Sequence, residues 1–287
     1  MINYYLITKP GIILGNLFTL AAGFILASQM HIDLALFSLT TLGLALVIAS
    51  ACIFNNYIDR ELDQKMKRTQ NRPLAKGTMS TVRALILGTL LGLVGGFTIF
   101  WFTNLSAFVI TVLGFFIYVF VYSLWKRHTI YSTAIGSIAG AVPPLIGYCA
   151  VRNQCDLGAF LLFLVLVLWQ MPHFFSIALH HFDDYCAAQI PVLPVKRSLL
   201  KTKVHMLIYI IFFIVASSLL TYFQYTGLIY LLITLPIGIT WLVICLKGFK
   251  TQDIKSWGGS MFRWSLVMIG TVSIVIPLEA ALINLRS

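Results

Sequence analysis

Long apolar runs alternate with short polar breaks along this chain, and the apolar runs are of membrane-crossing length. About 20 mainly apolar residues span the ~30 Å hydrocarbon core of a bilayer. Nine segments reach that length, roughly 11–29, 34–54, 83–101, 104–124, 132–151, 157–178, 205–224, 227–246 and 264–283. The pattern predicts an all-α integral membrane protein with nine transmembrane helices in one bundle. No low-complexity tract or long linker divides it, so residues 1–287 are read as a single transmembrane domain. The apolar run after Lys9 has the look of a secretory signal, but more apolar runs follow at once, and it is taken as the first membrane helix.

Composition agrees with that reading. The chain is 59% hydrophobic and 10% charged, against about 25% charged in water-soluble domains. A net charge of +11 would suit a nucleic-acid partner, but its distribution argues otherwise. Of the 20 Lys and Arg residues, all but Arg152 and Arg286 fall on the side that holds the amino terminus. By the positive-inside rule that side is cytoplasmic. The protein is expected in a bacterial inner membrane, amino terminus cytoplasmic and carboxyl terminus outside, with lipid rather than nucleic acid around it. The five cysteines (Cys52, Cys149, Cys155, Cys186, Cys245) show no CxxC or Cys/His metal spacing and are read as apolar-site residues.

The polar breaks after spans two and six each exceed twenty residues, and long connections tend to be functional. The first reads NNYIDRELDQKMKRTQNRPLAKG from Asn55 to Gly77. Asn55, Asp59 and Asp63 step by four, which returns to nearly the same face of a helix. Two carboxylates at that spacing repel unless a cation bridges them. Oxygen donors without Cys or His favour a hard ion, Mg²⁺ or Ca²⁺, and Mg²⁺ leaves most of its positions to water and phosphate oxygens. Arg68, Arg72 and Lys76 follow, suited to phosphate oxygens, although basic residues here also serve orientation and anionic lipid. The second break begins HHFDDYCAAQIPVLPVKR at His180, with Asp183 and Asp184 at the end of span six as Asp59 stands at the end of span two. This weak internal repeat predicts that the two acidic ends face each other across one cavity.

The first stretch, with its Arg72-Pro73-Leu74, resembles the first aspartate motif of the intramembrane (UbiA-type) prenyltransferases. Three more stretches resemble the haem-farnesylating branch of that superfamily: KRHTIYSTAIGSIAGAVPPLIGY from Lys126, WQMPHFFSIAL from Trp169 and DDYCAAQIPVLPV from Asp183. The resemblance runs through almost the entire chain. It implies a nine-helix bundle around a central cavity open toward the cytoplasmic side. It also implies Mg²⁺-dependent transfer of a farnesyl group from farnesyl diphosphate to a vinyl group of haem B. The products would be haem O and diphosphate, with hand-over of haem O to haem A synthase or a terminal oxidase. The second loop departs from the family pattern, offering Asp183-Asp184 in place of a full aspartate-x-x-x-aspartate.

Prenyl transfer ionises an allylic carbon–oxygen bond, so negative charge grows on the diphosphate, where cations stabilise it. Asn55, Asp59, Asp63, Asp183 and Asp184 are the expected metal ligands, with Asp59, Asp63, Arg72 and Asp184 central to catalysis. Arg68, Arg72, Lys76 and Lys126 are the expected diphosphate clamps. The allylic cation needs shielding from water and can be stabilised by aromatic faces, which nominates Tyr57, Tyr122, Trp169 and Phe174 for the pocket. His173, next to Pro172 within a span, is the haem-side candidate, because polar residues inside the membrane usually face a cavity. Pro172 and the Pro143-Pro144 pair are expected to kink their helices or free carbonyls. Glu279, near the outer end of the last span, has no evident role in the sequence. Two other activities fit parts of the pattern. A prenyltransferase acting on a quinone-precursor ring would share the metal–diphosphate machinery. An ion-coupled transporter would also use intramembrane acids, but near the midplane rather than at helix ends on one face.

Overall fold

The computed structural model describes residues 2–284. Among them are nine helices of spanning length. They are α1 (Pro10–Ser28), α2 (Leu34–Asp63), α3 (Thr81–Phe102), α4 (Leu105–Trp125), α5 (Ser132–Arg152), α6 (Leu157–His180), α7 (Leu199–Tyr222), α8 (Leu228–Lys247) and α9 (Ile254–Asn284). Short helices cover Ile2–Ile7, Phe182–Ala187 and Leu193–Lys196. Arg286, which entered the charge count, lies outside the described residues.

Three helices outrun their expected bounds. α2 continues to Asp63, α7 begins at Leu199 and α9 begins at Ile254. In each case the extra turns carry interspersed charges, so hydropathy falls before the backbone hydrogen bonds stop.

α6 forms the centre of the bundle, packing on α5, α7 and α9, while α1 packs against both α5 and α9. The α1–α5 contact is set by two glycines. A Cβ at Gly23 would sit 2.1 Å from the Pro144 carbonyl oxygen, and one at Gly147 would sit 2.3 Å from that of Leu20. Within α5 the regular helix breaks at Ala141, just before Pro143-Pro144, as expected where prolines withhold N–H groups. α6 runs unbroken through Pro172. In α4, Ile117–Tyr122 is wound as π-helix, a form that recurs at functional sites. α3 turns Ile86, Leu90, Leu93, Phe97 and Trp101 outward, an apolar surface suited to lipid.

Most of the acids away from the two long loops are helix caps. Asp33 accepts from Ala35 N and Leu36 N at 2.9 and 3.0 Å, and Asp156 from Ala159 N at 3.1 Å. Asp253 accepts from Ser256 N at 3.0 Å. Glu279 is buried and accepts from Gly227 N at 2.6 Å and Tyr230 N at 3.1 Å, supplying the start of α8 with acceptors its backbone lacks. These acids have structural work. Asp59, Asp63, Asp183 and Asp184 do not cap their helices in this way.

Candidate active site

A cavity of about 840 Å³ is lined by α1, α2, α4, α5, α6 and α9. α3, α7 and α8 stand outside as a buttress, contributing none of its lining. Its walls are mostly apolar, and its charged side chains gather at the end where α2 and α4 finish.

The four-residue step along α2 places Asn55, Asp59 and Asp63 on the cavity wall, all three buried. Each is held differently. Asn55 Oδ1 accepts from Lys9 Nζ at 2.6 Å, and its Nδ2 donates to Ser123 Oγ at 2.9 Å. Asp59 Oδ2 is paired with Lys126, while Oδ1 is buried without a partner. Both oxygens of Asp63 accept from Arg72 Nη1, at 2.9 and 2.8 Å. Buried carboxylates are costly unless charge and hydrogen bonds compensate them. Here two cations do so, each drawn from a different segment. Lys9 is the third cation at this mouth. Loss of hydration, followed by repulsion from Arg72, lowers its ammonium to about 8.

The π-wound turn of α4 serves this cluster directly. It stacks Tyr118 on Tyr122, with ring centroids 5.6 Å apart, and lets Ser123 Oγ donate to the Tyr118 carbonyl at 2.9 Å. Lys126 lies 5.4 Å from the centroid of the Tyr122 ring, within cation–π reach, and both side chains line the cavity. Further along, Trp169, Gln170, His173 and Phe174 of α6 line the apolar part. Trp169 and His173 stack at 4.7 Å, and His173 Nδ1 lies 2.7 Å from Ser265 Oγ. Ser265 gives its own proton to the Phe262 carbonyl at 2.6 Å. With its hydroxyl proton so engaged, Ser265 Oγ is placed to accept from His173 Nδ1. Gln170 Oε1 is buried without a partner. Gly140 makes room for that amide, because a Cβ there would lie 2.4 Å from it.

The second acidic loop approaches the first. Asp184 Oδ2 accepts from Arg68 N at 3.3 Å. Asp183 turns away, exposed and paired with Lys255 at 2.5 Å. Neither lines the cavity, and neither does Lys76, which is exposed. Tyr57 sits outside it too, packed against the Ile7–Ile53 cluster with the Arg60 guanidinium 4.6 Å from its ring. Of the expected residues, Asn55, Asp59, Asp63, Arg68, Arg72, Lys126, Tyr122, Trp169, His173 and Phe174 share the one cavity. Lys9, Tyr118, Ser123 and Gln170 join them without having been singled out in the sequence. Gln170 lay inside the WQMPHFF stretch, and Lys9 was visible only as an orientation charge.

Among the described residues, no three His, Cys, Asp or Glu side chains come close enough to hold a metal alone. Asp59 and Asp63 with Asn55 nevertheless suit a hard ion that draws its remaining oxygens from elsewhere, as Mg²⁺ does on a substrate's phosphates. The unpartnered Asp59 Oδ1 is the acceptor such an ion needs.

The fold and this cluster are those of an intramembrane prenyltransferase, and comparison with known proteins agrees. The chain belongs to the UbiA prenyltransferase family, whose sequence profile matches residues 16–267. It is 56% identical over 280 residues to the protoheme IX farnesyltransferase of Protochlamydia amoebophila, covering 97% of this chain and 99% of that protein. The structure of a digeranylgeranylglyceryl phosphate synthase superposes with a TM-score of 0.79 at 19% identity, covering 97% of each chain. A UbiA homolog from Archaeoglobus fulgidus bound to GPP and Mg²⁺ superposes with a TM-score of 0.71 at 16% identity, covering 96% of this chain and 99% of that one.

Proposed function

We propose that this prenyltransferase moves a farnesyl group from farnesyl diphosphate to a vinyl group of haem B, giving haem O and diphosphate, with Mg²⁺ as cofactor. The observation that carries the reading is Asp59, buried at the polar end of an apolar cavity with one oxygen unpartnered. The similarity to a protoheme IX farnesyltransferase supports the acceptor, and the Archaeoglobus fulgidus homolog with GPP and Mg²⁺ supports the donor class and the ion.

Asn55, Asp59 and Asp63 hold the ion, and Asp184 orders the Arg68 loop beside them. Mg²⁺, when bound, supplies positive charge to the diphosphate oxygens. Arg72 and Lys126, which pair with Asp63 and Asp59, bind those same oxygens. The allylic C–O bond breaks and its electron pair leaves with diphosphate. Tyr118 and Tyr122 face the resulting allylic cation, and the apolar wall keeps water from it. The terminal vinyl carbon attacks the allylic carbon. The cation left beside the porphyrin is captured by water, which loses a proton to give the hydroxyalkyl group. The whole chain works as one domain in a bacterial inner membrane. The polar end of the cavity faces the cytoplasm with the amino terminus, and the carboxyl terminus is outside. The near-exclusive placement of Lys and Arg at that end supports this orientation.

The test is incubation of membranes containing the protein with haem B, farnesyl diphosphate and Mg²⁺, followed by chromatography and mass analysis of extracted haem. A farnesylated, hydrated haem that fails to form when EDTA replaces Mg²⁺ is expected. Unmodified haem together with prenylated hydroxybenzoate from the same membranes would overturn the haem assignment.

A further inference from the structure

A second recess, of about 340 Å³, opens beside the main cavity between the end of α6 and the start of α9. Arg68, His180, His181 and Arg263 make up most of its rim, with Ile177, Gly259 and Phe262 behind them. Arg68, Ile177 and Phe262 also line the main cavity, so the two spaces adjoin. The joint is close to the haem-side wall: the Phe262 and His173 rings are 5.2 Å apart.

Asp184 meets this rim at the Arg68 backbone amide, which leaves the Arg68 guanidinium, among the described residues, without a carboxylate of its own. Among the described residues the acids within ion-pair distance of a cation belong to Arg60, Arg72, Lys126 and Lys255. The Arg263 guanidinium donates to Ser260 Oγ at 3.0 Å, and no carboxylate reaches it. Gly259 keeps the rim open, since a Cβ there would lie 3.0 Å from His180 Nδ1 and 3.7 Å from Arg263 Nη1. His180 Nδ1 is itself engaged with the Lys255 carbonyl at 3.0 Å, so the two guanidinium groups are the principal anion donors. Guanidinium is the side chain whose paired N–H groups match a carboxylate.

We propose that this recess binds the carboxylates of the acceptor, with Arg263 and Arg68 receiving the two propionates of haem B. The proposal rests on the haem reading above and extends it to orientation. Haem B carries its propionates on the edge of the macrocycle opposite its vinyl groups. Carboxylates held at the charged rim send the vinyl edge past Phe262 and His173 into the apolar cavity, where the allylic carbon forms. A porphyrin entering the other way would bury two carboxylates against an apolar wall, at high cost. Arg263 is thus a specificity residue, distinct from the diphosphate clamps Arg72 and Lys126 on the α2–α4 side.

The test compares haem B with its dimethyl ester, which keeps the vinyl groups but lacks both carboxylate charges. The wild-type enzyme is expected to prefer the diacid by about tenfold or more in kcat/KM, the weight of one charge-assisted hydrogen bond. Arg263→Gln should raise KM for haem B, remove most of that preference and leave KM for farnesyl diphosphate unchanged, and Arg263→Lys should keep part of it. Equal use of diacid and ester by the wild type would overturn the proposal without any variant. So would a preference that survives Arg263→Gln, or a change confined to farnesyl diphosphate. If the wild type makes no farnesylated haem from either acceptor, the haem reading itself falls.

Discussion

Asp184 Oδ2 accepts a hydrogen bond from the Arg68 backbone amide at 3.3 Å, across 116 residues of chain. The contact ties the loop after α6 to the loop after α2 and so closes the polar end of the cavity from two sides. In the proposed mechanism Asp184 acts on the site through the position of Arg68. Asp184→Ala should lower kcat less than loss of a cavity carboxylate does, by about tenfold. Steady-state kinetics of the two variants side by side would check the order, and a larger loss in Asp184→Ala would mean direct contact with the reacting groups.

Asp59 should be the most sensitive position. Asp59→Asn keeps the shape but removes the charge and turns an amide N–H₂ or a neutral oxygen toward Lys126. Loss of one preorganised electrostatic contact to a transition state costs about 10²–10³ in rate. Haem O formation is expected to fall by at least that much, with detergent-solubilised protein still monodisperse. Normal turnover in this variant would remove the metal–diphosphate role from α2.

Asp63 and Arg72 separate stability from activity. Arg72→Gln leaves the buried Asp63 carboxylate without its guanidinium, and stripping one partner from a buried pair costs about 3–5 kcal/mol. Arg72 is 27% exposed along its side chain, so solvent softens the loss to about 1–3 kcal/mol. Asp63→Asn combined with Arg72→Gln should recover most of the thermal stability while leaving the enzyme inactive. Thermal unfolding and turnover of the single and double variants would show the split.

Much of this was legible in the sequence, and what was not shares a physical cause. The nine spans follow from hydropathy, and the Asn55-Asp59-Asp63 face from the helix period. The four-residue step already implied that α2 runs on to Asp63, but the turns that extend α7 and α9 were invisible, because apolar content marks the bilayer and not the end of a helix. Lys9 reaches Asn55 over 46 residues, and no local pattern records such a contact. The π-wound segment of α4 was hidden as well, since Ile117–Tyr122 reads like any apolar helix. Conversely, Asp183, Lys76 and Tyr57 satisfied the local pattern, but packing gave them other neighbours: Lys255 for Asp183, solvent for Lys76 and the Ile7–Ile53 cluster for Tyr57.

The α1–α5 crossing makes a prediction about the scaffold alone. A methyl at Gly23 meets the Pro144 backbone at 2.1 Å, which cannot yield as a side-chain tip would. Overpacking of this kind costs about 1–3 kcal/mol. Gly96, on α3, has nothing within 4 Å of its Cβ position, and alanine there should gain helix propensity. Gly23→Ala should lower the melting temperature and Gly96→Ala should not, as read by thermal unfolding in detergent. A matched drop in both would point to the detergent rather than to the helix crossing.

Two native cysteines offer a test of orientation that needs no fused reporter. Cys155 is exposed on the α5–α6 connection, and Cys186 is exposed on the Phe182–Ala187 helix at the polar end of the cavity. α6 runs the width of the bundle between them, so the two thiols open on opposite faces of the membrane. If the basic end is cytoplasmic, a membrane-impermeant maleimide applied to intact spheroplasts should modify Cys155 and spare Cys186. Permeabilised membranes should then label both. Because the Cys155 Sγ lies 3.2 Å from the Cys149 Sγ, the labelling should be done after brief treatment with an impermeant reductant. Labelling of Cys186 in intact spheroplasts, with Cys155 protected, would invert the topology and place the diphosphate end of the cavity on the outer face.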